Sequence, residues 1–561
     1  MKDSEGIFPF RLAWLIPVGV AATLGLGIWY WLAHRAPIDE ALYKAISLFE
    51  IDSNAYSHDE ALQDWRIRIG RWTGAGVVVS SLLAVAALLH EHIVTAFARW
   101  TKQSVVVIGA DPLAQAGFEA TREARRSVLW LGAPSFGSTG FSTIALAWPP
   151  HDHARAVVDH AGKADYVLIA EPDDADALAV ARAARKAAPG AHITLLMRDV
   201  RLAEDAAVTL NEARTRVMST AALAARALAI EHPPFLIAKQ LAHTRIHALI
   251  VGFGQTGQSI ARDLIVNCRT TYLGLPRITV IDPQAEALEG VLRVRAPEID
   301  ACAEFSFIEG EISGRAVRPE PHVIAEDLAA AGPITAAYVC LATDLDALSA
   351  ASMLQSLLRA VDLTAPRTFV RLREIDTVAA REGGGLDALT PFGDLESVLA
   401  ASEFLSKAPD LAARSFCEAY RAALPADQRD DPANRSAYPW DRLDETYRQV
   451  NRDLAAHVPA KLASAGINPA RWQGLARLPR LEDGERLFRD AAELEALAWL
   501  EHERWQASRR MDGWRFADRP SKDQARRLHP SLKSYEALTD EVKEFDRVMV
   551  RQTQDAVTGA K

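Results

Sequence analysis

The stretch HALIVGFGQTGQSIARDLI, residues 247–265, decides the fold. It reads as an apolar strand, a GxGxxG turn and a helix. In such a turn, Gly252 allows the tight bend, Gly254 lets the backbone approach a pyrophosphate, and Gly257 lets the helix pack against the strand. The helix N-terminus adds free N–H groups for phosphates. The pattern predicts mononucleotide or dinucleotide binding, with an inherited but empty fold as the alternative.

An acid ends the next apolar strand, RITVIDP. Its carboxylate, on Asp282, is placed to accept hydrogen bonds from ribose hydroxyls. The insertion CRTTYLGLPR (residues 268–277) accounts for the long gap between Gly257 and Asp282. With the turn residues Gln255 and Thr256, Asp282 belongs to the predicted cofactor-binding set.

Short β-branched runs alternate with Ala-rich helical stretches after Trp100, which predicts parallel sheets wrapped by helices. The runs come in two rounds, so we expect two Rossmann-like sister domains, residues 101–240 and 241–409. The predicted strands are residues 104–109, 128–132, 144–148, 166–170 and 193–197, then 247–252, 278–282, 305–308, 337–341 and 368–372.

The first of these domains is degenerate. Its turn, IGADPLAQAG, retains Gly109 and Gly117, and its next strand ends in LWLGAPS without an acid. A structural or dimerising domain without nucleotide is therefore favoured over a binding domain.

Two uncharged runs near the N-terminus predict a two-span transmembrane region, residues 1–100. Leu12 to Ala33 is long enough to cross a hydrocarbon core of about 30 Å, and Trp72 to Leu89 is near the lower limit. A signal peptide is the alternative for the first run, and a buried soluble hairpin for the second. WRIRIGRW, residues 65–72, is expected to lie at the interface before the second span.

The charges around the two runs predict the orientation. Lys2, Arg11, Arg99 and Lys102 flank the outer ends of the pair, and acids dominate the first part of the loop. This favours a bacterial inner-membrane protein with both termini and the bulk of the chain in the cytoplasm. The loop has no run such as TVGYG, so a potassium filter of that type is not supported.

The region from Asp410 has helical periodicity with many aromatic and Arg residues. His502, Trp505 and Arg509 are spaced i, i+3 and i+7, so they share a helix face. Gly513 fits a helix C-terminal cap, and Trp514 follows it. Such residues can form an aromatic anion pocket in which rings stack on a base and guanidinium groups bind phosphate. A small core with a solvated Arg face is the alternative.

The second Rossmann-like unit resembles the nucleotide-binding domains of Trk-type potassium-uptake regulators and the RCK domains of potassium channels. The matching residues are the glycine turn, Asp282 and the tract CLATDLDALSAA, residues 340–351. The resemblance places Thr343 and Asp344 beside the ligand cleft. It also implies NAD or an adenine nucleotide as cofactor, and a ligand state passed to a membrane partner without hydride transfer.

The C-terminal pattern H-x-x-W…GW…HP-x-L-x-x-Y…L…DR is similar to the ryanodine-receptor repeat (RyR) domain over roughly the last 120 residues. We therefore expect a mostly α-helical RyR domain at residues 410–561. The family often has Gly after the GW-aromatic motif, and Arg515, Phe516 and Ala517 depart from it. The resemblance implies the ligand residues Arg448, Asn451, Lys461, His502, Trp505, Arg509 and Trp514.

Composition excludes several classes. The 561 residues are 49% hydrophobic and 24% charged, which is typical of folded protein. A net charge of −10 gives no electrostatic case for nucleic acid, and four cysteines without CxxC pairs exclude a disulfide framework and predict no metal site. The chain has no Walker A, GxSxG or HExxH motif, so we expect no enzyme activity.

The predicted class is thus a membrane-anchored α/β protein with the bilayer and a nucleotide as partners. Its expected function is nucleotide or second-messenger sensing, coupled to an oligomeric ligand-gated ion channel or other membrane effector. Two spans cannot enclose a pore, so conduction requires a homo-oligomer. The alternative is a regulatory NAD- or ATP-binding subunit of a potassium or other cation transport system, without a pore of its own.

Overall fold

The computed structural model describes residues 8–50, 61, 63–139, 142–149, 152–210, 214–360, 362–363, 367–374, 389–469, 478 and 480–558. The chain divides into two compact units. The first comprises residues 1–101 and 138–144, and the second residues 102–137 and 145–561.

The first unit is built on two long helices. Its helices are α1 (Phe8–Ala33), α2 (Ile38–Ile46) and α3 (Trp65–Trp100). Helices α1 and α3 run antiparallel, because Thr23 and Thr73 share a hydroxyl hydrogen bond of 2.8 Å while Trp29 and Trp65 meet edge to face, 6.0 Å apart. A Cβ atom on Gly19 would lie 2.5 Å from a methyl of Val77. The small residue therefore permits the close approach of the helices.

One helix among the described residues is long and apolar enough to cross a membrane. This candidate span is Ile16–Ala33 in α1, with a mean hydropathy of 1.5 and 17% of its residues buried. The second predicted run, Trp72 to Leu89, is the middle of the 36-residue helix α3 and is not among the candidates. The prediction of two spans thus has support for the first run, and the second stays a prediction.

The segment WRIRIGRW is the beginning of α3 and is continuous with the second run, and its position at the membrane interface stays a prediction. Asp64 explains the early start, because its carboxylate accepts a hydrogen bond from the backbone N–H of Arg66, 2.8 Å away, as N-terminal helix residues require. The Arg66 side chain also pairs with Asp64 at 2.8 Å and lies 5.0 Å over the Trp29 ring.

The first sheet occupies residues 105–219 and has seven strands in the order β3-β4-β2-β1-β5-β6-β7. Strands β2, β1, β5, β6 and β7 are parallel, and residues 105–108 and 128–131 are fully buried. The elements are β1 (Val105–Ile108), α4 (Pro112–Glu123), β2 (Val128–Leu131), β3 (Gly137–Thr139), β4 (Thr143–Leu146), α5 (His153–His160), β5 (Tyr166–Ala170), α6 (Asp174–Ala187), β6 (His192–Met197), α7 (Val200–Thr209) and β7 (Thr215–Ser219).

The second sheet is a six-stranded parallel sheet in the order β10-β9-β8-β13-β14-β15. Helices α8 (Thr220–Glu231) and α9 (Pro234–Gln240) precede it. Its elements are β8 (His247–Val251), α10 (Gln255–Asn267), β9 (Arg277–Asp282), α11 (Ala285–Arg295), β10 (Glu304–Glu309), the small pair β11 (Glu311–Ile312) and β12 (Val317–Arg318), α12 (Pro321–Ala331), β13 (Ala336–Val339), α13 (Asp344–Ala360), β14 (Thr368–Arg371) and β15 (Leu389–Phe392).

The predicted α/β class with parallel sheets is confirmed, and each predicted strand overlaps an observed one. The sequence predicts no strand at β3, β7 or β15, nor at the two-residue strands β11, β12, β16 and β17. The sequence of β7, TRVMS, lacks an apolar run, and β15, LTPF, carries a proline that only an edge strand tolerates.

The two sheets exchange packing elements. Helix α14 (Leu395–Ser402) follows the second sheet, yet its Val398 and Leu399 are buried in the core of the first. In return, Ala225 and Leu228 of α8 belong to the core of the second sheet. The two sheets therefore do not have separate cores, and the predicted domain bounds at residues 240 and 409 stay predictions.

The C-terminal region is helical and packs on α10. Its helices are α15 (Leu411–Ala423), α16 (Ala426–Arg429), α17 (Glu445–Ala456), α18 (Val458–Ser464), α19 (Ala491–Met511) and α20 (Asp540–Thr558), with a two-residue strand pair β16 (Arg515–Phe516) and β17 (Leu528–His529). Ala460, Ala463 and Ala507 join the core of the second sheet. These small side chains let α18 and α19 lie close to α10.

Candidate nucleotide sites

The glycine turn has the geometry that its sequence predicts. Gly252 has φ +87°, and a Cβ atom there would lie 3.0 Å from the Cys340 carbonyl oxygen. A Cβ atom on Gly257 would lie 2.4 Å from the Gly252 carbonyl oxygen, so α10 packs directly on the turn. A Cβ atom on Gly254, by contrast, would meet no other atom within 4 Å. The N-terminus of α10 is thus open where a pyrophosphate would approach.

Asp282 lies beside this turn, but its carboxylate already has backbone partners. One oxygen accepts from the Phe253 N–H at 2.8 Å and the other from the Gln284 N–H at 2.9 Å. The Gln255 side chain forms two hydrogen bonds with residues that follow strand β6 of the first sheet. Its amide oxygen accepts from the Val200 N–H at 3.0 Å, and its amide nitrogen donates to Asp199 at 3.1 Å. Asp282 is thus held at the turn by backbone hydrogen bonds, Gln255 links the two sheets, and Thr256 is buried.

At the same carboxyl edge of the sheet, Thr343 immediately precedes α13 and Asp344 is its first residue. Thr343 donates to the Asp346 carboxylate at 2.6 Å, and Asp344 accepts from the N–H groups of Arg373 and Glu374 at 2.9 and 2.8 Å. In the first sheet's region, Asp174 likewise accepts hydrogen bonds from the backbone N–H groups of the two residues after β6. Both residues therefore have a structural role at the cleft, and a ligand role for them stays a prediction.

The equivalent cleft of the first sheet contains its own side chains. Asp111 caps α4 by accepting from the Leu113 N–H at 2.9 Å and pairs with Arg198, so a carboxylate lies where a phosphate would bind. At the ribose position, His153 contacts Glu171 at 2.5 Å and Trp130 donates to the Gly109 carbonyl at 2.9 Å. Because these groups occupy the cleft, the N-terminus of α4 is not open in the way that the N-terminus of α10 is.

We expect Gly254→Asp to abolish binding of ATP and NAD at the glycine turn of the second sheet, residues 252–257. The site around Gly254 is open and its φ is −70°, so an Asp fits without strain and places a negative charge at the phosphate position. Calorimetric titration of the full chain should show at least a hundredfold loss, roughly 2.7 kcal/mol. Gly290→Asp on α11, also in open space, is the matched control. Equal affinity in both variants would exclude this turn as a site.

A cage of aromatic and cationic side chains lies between α17, α19 and β17. The Trp505 ring stacks on His502 with centroids 5.5 Å apart and meets His529 edge to face at 5.0 Å. Trp514 meets the same His529 at 5.9 Å. The Arg509 guanidinium lies 5.6 Å over the Trp514 ring and 6.0 Å over that of Tyr447.

The cage is electrostatically positive. Lys522 donates to the Tyr447 hydroxyl at 3.2 Å, and Arg509 has no ion pair within the part of the chain that the structure describes. Burial lowers the pKa of Arg509. Burial and the positive charges of Arg509 and Lys522 lower the pKa of His529 to about 4. At neutral pH the cage therefore combines the two cations Arg509 and Lys522 with a neutral His529 ring, which suits a planar anion.

Four predicted ligand residues have other partners. Lys461 is fully buried and pairs with Glu501 at 2.7 Å, and His502 contacts the Lys533 carbonyl at 2.9 Å and Asp546 at 3.3 Å. Arg448 donates to the Trp440 carbonyl at 3.0 Å, and Asn451 donates to that of Tyr447 at 2.9 Å. In this structure these side chains support the helices, while Trp505, Arg509 and Trp514 come together.

Three cage residues were not predicted: Tyr447, Lys522 and His529. His529 belongs to the HP motif and could have been found from it. Tyr447 and Lys522 are distant in sequence from Arg509, and no spacing rule brings them together. Among the described residues, no group of three or more His, Cys, Asp or Glu side chains could hold a metal ion.

The comparisons with known proteins bear on the C-terminal region. The model of the RyR domain family matches residues 489–559, which contain α19, the strand pair and α20. The predicted RyR resemblance is confirmed for these residues. Trp505, Arg509, Trp514 and His529 lie inside the match, and Arg448, Asn451 and Lys461 lie outside it.

Among solved structures, the chain is similar to GsuK bound to ADP, with a TM-score of 0.36 and 13% identity over 70% of this chain and 95% of that chain. It is similar to the GsuK channel bound to NAD with a TM-score of 0.35 and 14% identity, over 70% of this chain and 81% of that chain. A search of curated proteins gave no match.

Proposed function

We propose that the chain is a membrane-anchored nucleotide sensor whose ligand state controls ion movement through a homo-oligomer. One observation carries the proposal. Arg509, half-buried between the rings of Trp514 and Tyr447, has no ion pair among the described residues and lies within the RyR match. The proposal is for a binding protein and includes no catalytic step.

A nucleotide fits the chemistry of the cage. Its base is a planar ring that can stack on Trp505, Trp514 or Tyr447, and its phosphates can accept charge-assisted hydrogen bonds from Arg509 and Lys522. The glycine turn is the second proposed site, for NAD or an adenine nucleotide, because the N-terminus of α10 is open beside Gly254.

The two proposed sites are mechanically connected. Asp453 on α17 accepts from Ser508 on α19 at 3.0 Å and pairs with Arg262 on α10 at 2.9 Å. His457 contacts the Arg269 carbonyl oxygen at 3.0 Å. The helices that carry the cage, α17 and α19, are thus linked to α10, the helix that follows the glycine turn. A ligand that binds two arrangements of these helices with different affinity would shift the equilibrium between them.

The membrane part of the proposal places α1 and the second predicted run, Trp72 to Leu89 in α3, across the inner membrane, so that both termini lie in the cytoplasm. Its support is the candidate span Ile16–Ala33 and the basic flanking residues.

A second candidate function is a regulatory subunit of a cation transport system without a pore. One observation favours this second function: α3 is not among the candidate spans of the described residues. A single apolar helix can anchor a protein in the membrane, but it does not line a pore.

We expect Arg509→Ala to weaken ATP binding by at least tenfold, about 1.4 kcal/mol, because a partly desolvated guanidinium–phosphate contact is lost. The measurement is calorimetry on the full chain in detergent, followed by ATP-dependent ion flux in liposomes. Arg526→Ala removes an exposed Arg from the loop that carries Lys522 and is the matched control.

The outcomes separate the candidate functions. Flux that depends on ATP and is reduced only in the Arg509 variant supports the channel. ATP binding with background flux across a nucleotide panel supports the regulatory subunit. ATP binding that is unchanged in the Arg509 variant would remove the cage as a nucleotide site.

A further inference from the structure

A cleft opens at the amino ends of strands β5, β6 and β7, on the opposite edge of the first sheet from the Gly109 turn. Its outer lobe has a volume of about 630 Å³, and its inner lobe has a volume of about 30 Å³. His192, at the start of β6, and Arg214, just before β7, line both lobes. The two lobes are therefore parts of one cleft.

The outer lobe has an excess of positive charge. Arg126, Arg214 and Lys407 line it, and none of them has a carboxylate partner among the residues that the structure describes. The one acid in its wall, Asp165, already pairs with Lys102 at 2.7 Å. Three cations are thus available to a ligand in a chain whose overall net charge is −10.

Flat rings lie beside these cations. The Tyr166 ring stacks on the His192 ring with centroids 5.6 Å apart and planes inclined by 23°. The Arg126 guanidinium lies 5.0 Å over the same Tyr166 ring. Burial and the charges of neighbouring arginines, Arg214 first among them, lower the pKa of His192. Its ring is therefore neutral at pH 7 and presents an aromatic face.

The inner lobe is lined by the C-terminal helices. The buried Trp440 ring is approached by the guanidinium groups of Arg414 at 5.3 Å and Arg452 at 5.8 Å. Asp410 accepts from Arg452 at 3.1 Å and from Arg216 at 3.3 Å, so this carboxylate is already neutralised. The inner lobe repeats the combination of an aromatic ring and guanidinium groups found in the outer lobe.

We infer that this cleft binds a phosphorylated nucleoside, with the base against the Arg126 and His192 side chains, which the buried Tyr166 ring supports, and with the phosphates toward Arg214 and Lys407. Aromatic stacking and charge-assisted contacts to phosphate are the two interactions such a ligand needs. The site is separate from the glycine turn and from the cage: it lies at the other end of the strands and uses none of their residues. Because its walls come from the first sheet and from residues 403–452, a bound ligand would join the two.

Photolabelling of the full chain with 8-azido-ATP tests the inference, since the labelled peptide identifies the site. Trypsin yields residues 164–182 with Tyr166, residues 187–198 with His192, and residues 505–509 with Trp505. We expect label on the first two peptides. Arg126→Gln with Lys407→Gln should reduce that label at least tenfold and leave the label on the Trp505 peptide unchanged.

The matched control is Arg122→Gln with Lys186→Gln, which removes two exposed cations outside the cleft; its His192 peptide comprises residues 186–198, because the cleavage site at residue 186 is lost. An excess of unlabelled ATP should compete for the label if the cleft binds the nucleotide. The inference is overturned if residues 164–198 take no label, if ATP does not compete, or if the two double variants behave alike. Arg509→Ala separates this result from the cage, because it should affect only the label on the Trp505 peptide.

Discussion

Asp453→Asn is expected to lower the free energy of unfolding by about 3 kcal/mol, because it leaves two arginines facing a buried neutral amide. Asp453 is fully buried, pairs with Arg262 at 2.9 Å and Arg226 at 3.6 Å, and accepts from Ser508. It is thus the charge at the centre of the contact between α10 and the C-terminal helices. Thermal unfolding of the full chain, followed by circular dichroism, should show a midpoint about 3 °C lower, because the unfolding entropy of so large a unit is about 1 kcal/mol per degree.

The control for this variant is Asp441→Asn. Asp441 pairs with Arg414 at 3.2 Å, but its side chain is 71% exposed, so the loss should stay below about 1 kcal/mol. Equal shifts in the two variants would contradict the role assigned to Asp453.

The same carboxylate predicts a pH dependence. Burial alone would raise the pKa of Asp453, but Arg262 and Arg226 lower it to about 2, against about 3.9 in an unfolded chain. Its contribution to stability is therefore complete above about pH 4 and is lost as the pH falls toward 2. The difference in unfolding midpoint between the wild type and Asp453→Asn should shrink over that interval.

Gly109→Ala is expected to cost about 3 kcal/mol or more, because backbone strain and steric overlap add. Gly109 has φ +128°, and a Cβ atom would lie 1.8 Å from the Ala170 carbonyl oxygen. That oxygen belongs to the neighbouring strand, so it cannot move without separating β1 from β5. The expected result is a markedly lower thermal midpoint or loss of soluble folded chain.

Gly190→Ala is the matched control, since it makes the same chemical change beside the same sheet where a Cβ atom meets nothing within 4 Å. We expect its midpoint to stay within about 2 °C of the wild type, as for a surface change of no more than ~0.5 kcal/mol. A Gly109 variant as stable as the Gly190 variant would contradict the close packing of the first turn.

The fold was largely predictable because its signals are local. The glycine turn at residues 252–257 and the buried runs of the parallel strands appear in the sequence as contiguous patterns. Strand β7 was missed because its Arg216 donates to the Ser402 carbonyl and to Asp410, far along the chain. Its stability depends on partners that no local window contains.

The candidate site was predictable only in part. Helical spacing brought Trp505 and Arg509 to one face, and the structure adds Trp514 to them. Spacing shows which residues share a face, but it does not show which neighbours they have. Lys461 is the clearest case: a lysine predicted to bind a ligand is fully buried against Glu501, whose other partner is Arg504.

The exchange of helices between the two sheets restricts how this protein can be divided. A fragment that ends after the first sheet lacks Val398 and Leu399, and a fragment that begins at the second sheet lacks Ala225 and Leu228. Each fragment would expose an apolar face that the other normally covers. The two sheets therefore depend on each other as a single cooperative unit, and a recombination event that swaps one sheet alone would leave both incompletely folded.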